Sequence, residues 1–99
     1  MTKRTLPGEL AGKIVVFQER SIRRTWNNEE WWFSVADAVA ILADSVNPGD
    51  YIKKMRLRDK VLSEGWGQIV TLLRVETEGG IQRVNCANTE GLFRIIQSI

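Results

Sequence analysis

Short apolar runs separated by polar breaks mark the first third of the chain. Residues 13–17 form a β-branched run of strand length, and two further runs lie at 21–26 and 30–33. Between the last two stands Asn27-Asn28-Glu29, whose residue types favour a turn. The pattern predicts three short strands in hairpin connection. Residues 1–12 show no periodicity, and we expect them to form a flexible arm.

Helical periodicity begins at Ser34, which stands where an N-cap belongs, with Asp37 three residues later as the acid of a capping box. Apolar side chains follow at helical spacing: Val35, Ala36, Val39, Ala40 and Leu42. A helix is therefore predicted near residues 34–43. Asn47-Pro48 gives a second start signal, an N-cap residue followed by proline at the first helical position. This second helix is predicted to run from 48 to about 62.

The last third of the chain returns to strand patterns and closes with a helix. Residues 64–67 contain two glycines and are predicted to form a loop. Residues 69–75 and 81–86 are typical of strands, joined by a hairpin loop at 76–80. A final helix is predicted near 89–98, with Leu92, Phe93, Ile96 and Ile99 on one face. The whole pattern indicates an α+β fold: a small antiparallel sheet built from hairpins, with about three helices.

Composition restricts the number of domains and the kinds of site that this chain can contain. Ninety-nine residues with 43% hydrophobic and 26% charged side chains suit one globular domain, which we place at residues 13–99. The single cysteine, Cys86, excludes an intrachain disulfide, and the absence of histidine excludes the usual four-ligand zinc sites. No apolar run approaches the length of a membrane span. These features favour a cytoplasmic protein without a cofactor.

Catalysis finds no support in the sequence. The commonest general base, histidine, is absent, and no phosphate-binding or dinucleotide-binding glycine motif is present. Cys86 lies on a predicted strand and is expected to be an inert core thiol. The closely spaced carboxylates Glu29/Glu30 and Glu76/Glu78 fall in predicted turns, where solvated charge is the ordinary state. We therefore expect a binding protein and not an enzyme.

Charge is distributed unevenly along the chain. Residues 1–50 carry six Lys/Arg and seven Asp/Glu, whereas residues 51–99 carry eight and five. Five of those basic residues lie between 51 and 60, where Asp59 is the one acid: Lys53, Lys54, Arg56, Arg58 and Lys60. A local cationic patch on a nearly neutral domain indicates a polyanionic ligand better than total charge does.

Helical spacing organises this patch. Tyr51, Ile52, Met55 and Leu62 fall on one side of the predicted second helix and should be buried. Lys53, Arg56 and Lys60 align on the opposite side, and Lys54 and Arg58 form a flanking stripe. The patch predicts binding to DNA phosphates, most simply those of a duplex; a merely solvated helix face is the alternative. Arg20, Arg23 and Arg24, on or beside the second strand, could extend the patch or be solvated as well.

Four tryptophans, Trp26, Trp31, Trp32 and Trp66, allow two interpretations. They could pack in the core, or they could provide stacking platforms for single-stranded nucleic acid. Because Trp31 and Trp32 are adjacent in a predicted strand, one should face inward and the other outward. The outward member offers an apolar surface for a second subunit, so a homodimer is a further hypothesis.

The sequence also resembles a known family. Residues 32–42 are similar to the "wFvakDVaxxL" motif of the BRO N-terminal domain, found in viral BRO proteins and bacterial prophage antirepressors. Residues 21–26 are similar to its "iRv" strand, and residues 84–98 to its closing "vineeGlyxLixxS" segment. These stretches span about 14–98 in the family's order. Residues 42–47 depart from the family's "Lgy.n", so the loop into the basic helix differs.

The resemblance implies an α+β DNA-binding domain of a prophage antirepressor-like regulatory protein, usually followed by a variable C-terminal region. An antirepressor can also act by engaging a repressor. A protein-interaction module with a Trp-rich hairpin as its binding surface is therefore the competing hypothesis. Salt dependence separates the two, since phosphate binding weakens steeply with salt and an aromatic interface does not.

Overall fold

The computed structural model describes residues 16–17 and 20–99, with side chains from residue 22 onward. Its strands, in chain order, are β1 (Val16–Phe17), β2 (Arg20–Ser21), β3 (Arg24–Asn27), β4 (Glu30–Ser34), β5 (Thr71–Thr77) and β6 (Gly80–Asn88). Its helices are α1 (Val35–Leu42), α2 (Pro48–Arg58), α3 (Lys60–Ile69) and α4 (Thr89–Ile96). The α+β fold with hairpin-built antiparallel strands is confirmed, with one helix more than predicted. The predicted arm at 1–12 lies outside the described residues, as does most of the strand predicted at 13–17.

The main sheet has four antiparallel strands in the order β3-β4-β6-β5, while β1 and β2 pair separately. Its first hairpin turns at Asn28 and Glu29, which both have positive φ (53° and 63°), as a two-residue type I′ turn requires. The sheet curls until its two edge strands, β3 and β5, approach each other. The result is a half-barrel with a groove between its edges.

Each described helix begins at a side chain that caps it. Ser34, Asn47, Asp59 and Asn88 accept hydrogen bonds from backbone N–H groups three residues onward. The caps at Ser34 and Asn47 confirm two predicted helix starts. Asn88 also donates to Glu30 (Nδ2 to Oε1, 3.2 Å), which ties the start of α4 to β4.

The single helix predicted at 48–62 is wrong. At Asp59 the backbone becomes extended (φ −113°, ψ 94°), so α2 ends there, and the same residue caps α3 by accepting from the Leu62 N–H at 3.0 Å. The predicted loop at 64–67 is also wrong, because both glycines lie inside α3. Leu62, Trp66 and Ile69 recur at helical spacing and pack in or against the core, which holds this segment helical.

The core forms where the helices pack on Phe33 and Ala87, which face each other across β4 and β6. Helix α2 contributes the fully buried Met55 and α3 contributes Leu62, while Tyr51 and Ile52 pack at the margin. Helices α3 and α4 approach closely at Gly91, where a Cβ would lie 3.0 Å from the Ile69 carbonyl oxygen. The apolar side predicted for the second helix is therefore the side that meets the core.

Among the described residues, no helix is long and apolar enough to cross a membrane.

Candidate nucleic-acid interface

Most of the basic side chains predicted on the second helix are exposed, whereas Met55 of the same helix is fully buried. Lys53 and Lys54 are exposed, and Lys60 is exposed at the start of α3. We call Lys53, Lys54, Arg56 and Lys60 the basic helix surface. Since the helix breaks at Asp59, Lys60 does not continue the stripe of Lys53 and Arg56 on one axis, as the sequence predicted.

Arg56 is placed differently from the three lysines. Its guanidinium carbon lies 4.7 Å from the centre of the Trp66 ring, a cation–π contact between α2 and α3. Its Nε is buried and has no hydrogen-bond partner among the described residues. Together with Lys53 and Leu57, Arg56 lines a shallow groove of about 320 Å³. The half-buried Arg56 therefore supports the packing of α3 on α2 as well as carrying charge.

The one acid within this segment is already bonded by its neighbours. The Asp59 carboxylate accepts from the Ser98 hydroxyl at 2.5 Å, from the Leu62 N–H, and from Arg94 at 3.3 and 3.4 Å. The Ser98 bond, together with the Leu62 and Arg94 bonds, lowers the pKa of Asp59 to about 2. Arg58 donates to the backbone carbonyl of Ser98. Asp59 thus binds the end of α4 and forms no ion pair with Lys53 or Lys60.

Lys54 forms a salt bridge with Asp50, one turn earlier on α2, at 3.1 Å. Both side chains are at least half exposed (73% and 50%). An exposed pair of this kind contributes only a few tenths of a kcal/mol and is easily exchanged for another anion. Lys54 thus stays accessible on the basic helix surface.

Arg23 is bound by Asp37, although about a third of its side chain is exposed (36%). Its Nε and backbone N–H both donate to Asp37 Oδ2 at 2.8 Å, and Nη2 donates to Oδ1 at 3.0 Å. A further bond runs from Nη1 to Gln82 at 3.3 Å. The hydrogen bond with Asp37 raises the pKa of Arg23. This residue connects the start of β3 to α1 and β6, and the structure does not bring it onto the basic helix surface.

Arg24 is also separate from α2. Its guanidinium carbon lies 3.7 Å from the centre of the Trp31 ring, and Trp31 meets Trp26 edge to face with 5.1 Å between ring centres. Trp31 packs against the core, on the same side of β4 as Phe33, and both Trp31 and Trp32 are half-buried. The Trp32 indole N–H donates to the Asn27 carbonyl at 3.0 Å. The most exposed tryptophan is Trp26, at 58%.

Two arginines that the sequence pattern does not single out lie beside this aromatic cluster. Arg74 on β5 and Arg83 on β6 face each other directly across the strands, and both are exposed. They line an open space of about 530 Å³ between the edge strands, which we call the sheet groove. Its lining residues are Thr25, Trp26, Asn27, Leu72, Leu73, Arg74 and Arg83. Hairpin symmetry could have paired them, since they stand at equal distances from the turn at Glu78-Gly79.

Cys86 and the acidic side chains are the remaining reactive groups among residues 22–99. Cys86 is fully buried, and burial raises the pKa of its thiol to about 11, which keeps it protonated at neutral pH. Within residues 22–99, no cluster of three or more Cys, Asp or Glu side chains could hold a metal ion. The sites that stand out are cationic, and they suit binding of an anion.

Comparison of the chain with protein-family models, curated proteins and solved structures finds no match in any of the three. The resemblance to the BRO N-terminal domain therefore stays a prediction.

Proposed function

We propose that this chain is a DNA-binding domain that holds the phosphates of a duplex on its basic helix surface. One observation carries the proposal. Lys53 and Lys60 expose ammonium groups that have no acidic partner among the described residues, while Asp59 between them is bonded to Ser98 and Arg94. The fold thus leaves this surface positively charged although an acid lies within it.

The energetics of such a surface are those of counterion release. Each phosphate that a lysine neutralises adds about −0.9 to the slope of log K against log salt. Lys53 and Lys60 together should therefore contribute a slope of about −1.8. Arg56 is left out of this estimate because its side chain packs on Trp66.

The family resemblance extends the proposal to a biological setting. A prophage antirepressor-like regulator acts on DNA in the cytoplasm, and this domain would supply its contact with the duplex. Pairing of two copies would lengthen the DNA site, so homodimer formation belongs to the same proposal.

The experiment compares wild type with the double variant Lys53→Gln/Lys60→Gln in fluorescence anisotropy on a labelled duplex at several salt concentrations. We expect weaker binding and a slope flatter by about 1.8. Lys53→Arg/Lys60→Arg keeps both charges and serves as the matched control, which should bind nearly as wild type does. Circular dichroism checks that each variant folds, since exposed substitutions usually cost less than about 0.5 kcal/mol. An unchanged affinity and slope in the folded Gln variant would reject the proposal.

A second candidate function is a protein-interaction module, and exposed apolar side chains favour it. Trp26 is 58% exposed beside the first hairpin, and Leu57 and Val61, at 76% and 71%, flank the α2–α3 break. A repressor or a second copy of the chain could cover such side chains. Binding of a protein partner that is insensitive to salt, without any binding to DNA, would favour this candidate.

A further inference from the structure

The sheet groove holds two cations at a position that is unfavourable for the isolated fold. Arg74 and Arg83 are direct cross-strand partners, so their side chains leave the same face of the hairpin. Like charges directly opposite each other destabilise a sheet. Neither arginine has a salt bridge among the described residues. An anion placed between them would remove this repulsion.

An aromatic surface stands across the groove from this pair. Trp26 lies on the opposite wall, more than half exposed, and its ring is braced edge to face by Trp31. Arg24 packs over Trp31 in turn, at 3.7 Å. The Trp26 ring is thus held in place while much of it faces solvent. Such a ring suits stacking by a planar ligand.

The charge around the groove is positive overall. An adjoining hollow of about 410 Å³ shares Trp26 and Arg74 with it and adds Arg24 and Glu76. Three arginines and one carboxylate therefore surround the two spaces. The excess of two positive charges favours a ligand with more than one anionic group.

We propose that the sheet groove binds a single strand of nucleic acid, with phosphates on Arg74 and Arg83 and one base stacked on Trp26. A cationic groove with an aromatic platform is how proteins bind single strands without reading their sequence. A duplex suits the groove less well, because its bases are already stacked on each other and offer no free face to Trp26. The proposal shares no residue with the basic helix surface, so either one stands without the other.

The test measures anisotropy of a fluorescein-labelled oligothymidylate with wild type, Trp26→Leu and Arg74→Gln/Arg83→Gln. We expect Trp26→Leu to weaken binding about 5- to 150-fold, the range found for loss of one stacked base. The double arginine variant should flatten the salt slope by about 1.4, or about 0.7 for each phosphate on a single strand. Tryptophan fluorescence should be quenched by the oligonucleotide in wild type and much less in Trp26→Leu.

Two matched controls separate this site from other surfaces. Phe93→Leu removes a similarly exposed aromatic ring (61%) from α4, and its affinity for the oligothymidylate should equal that of wild type. Lys53→Gln/Lys60→Gln removes the same number of charges from the basic helix surface. It should weaken duplex binding and leave most of the oligothymidylate binding intact. Failure of the duplex experiment alone would therefore leave the groove proposal standing.

Three outcomes would overturn the proposal. The first is unchanged oligothymidylate affinity in the folded Arg74→Gln/Arg83→Gln variant, which also decides the matter if Trp26→Leu fails to fold. The second is wild-type binding to a duplex of the same length that exceeds binding to the single strand and depends on the same groove residues. The third is tighter binding of a labelled poly-glutamate peptide than of the oligonucleotide, which would assign the groove to an acidic protein.

Discussion

The arginines of this domain fall into two regions with opposite surroundings. Just before β3, Arg23 is bound by Asp37, with four polar contacts in all when Gln82 is included. In the sheet groove, Arg74 and Arg83 have no acid within salt-bridge distance among the described residues and face each other. The first arrangement connects elements of the fold. The second leaves two like charges next to each other without a carboxylate partner in the described part of the chain.

The difference shows that side-chain type alone does not identify a binding residue. Arg23 and Arg24 are adjacent in the sequence, yet Arg23 holds a carboxylate and Arg24 packs on an indole. Asp59 and Arg94 repeat the first arrangement at the α2–α3 break. Breaking an arginine–carboxylate pair should therefore destabilise the fold, whereas removing Arg74 or Arg83 should stabilise it.

The largest effect on stability is expected at the ion pair of Arg23 and Asp37. Asp37→Ala removes three short hydrogen bonds from Arg23, each to a charged acceptor, and should destabilise the fold by about 2–3 kcal/mol. Lys54→Gln, which removes the exposed salt bridge with Asp50, is the control and should cost less than about 0.5 kcal/mol. Urea unfolding of both variants measures the difference. Equal free energies of unfolding for the two variants would show that the Arg23–Asp37 pair is no stronger than the Lys54–Asp50 pair.

A smaller effect, limited to acid, is expected at Asp59, whose contacts with Arg94 are longer at 3.3 and 3.4 Å. Its pKa is lowered from 3.8 to about 2 in the folded state, so the folded protein binds fewer protons there than the unfolded chain. Asp59 therefore stabilises the fold above about pH 4, and that contribution is lost as the pH falls towards 2. As the pH is lowered from 5 to 2, the free energy of unfolding should fall less steeply for Asp59→Asn than for wild type. Parallel pH profiles would contradict this.

The smallest effect has the opposite sign. Arg74→Gln or Arg83→Gln should stabilise the free domain by about 0.2–1 kcal/mol, because either change removes the cross-strand repulsion. The double variant should gain little more than either single variant, since the repulsion is already gone. Thermal unfolding at low salt measures the gain, and added salt should reduce it. Destabilisation by both single variants would place these arginines with Arg23, as parts of the fold.

The sequence predicts those parts of the fold that depend on local signals. Ser34 and Asn47 predict where their helices begin, because a capping side chain bonds to a backbone group only three residues away. The hydrophobic periodicity does not predict the break at Asp59. Met55 and Leu62 lie on the same side of an uninterrupted helix, so the pattern continues across the break. Gly65 and Gly67 suggested a loop, but packing of Trp66 and Ile69 against the core outweighs their low helix propensity.

The sheet groove depends on distant parts of the chain. It forms where curling of the sheet brings β3 near β5, strands separated by more than forty residues, and no local pattern encodes that approach. The sequence did not predict the arginine pair, because the turn it predicts between β5 and β6 has the wrong length. A five-residue loop at 76–80 would place Arg74 opposite Gln82, whereas the two-residue turn places it opposite Arg83.

The edge-to-face contact of Trp26 and Trp31 also has an optical consequence. Two indole rings with centres 5.1 Å apart and planes at 76° are close enough for their electronic transitions to couple. Such coupling produces a paired positive and negative band in circular dichroism that neither ring gives alone. The domain therefore carries its own chromophore pair at the wall of the sheet groove, and this pair needs no added label to report a change there.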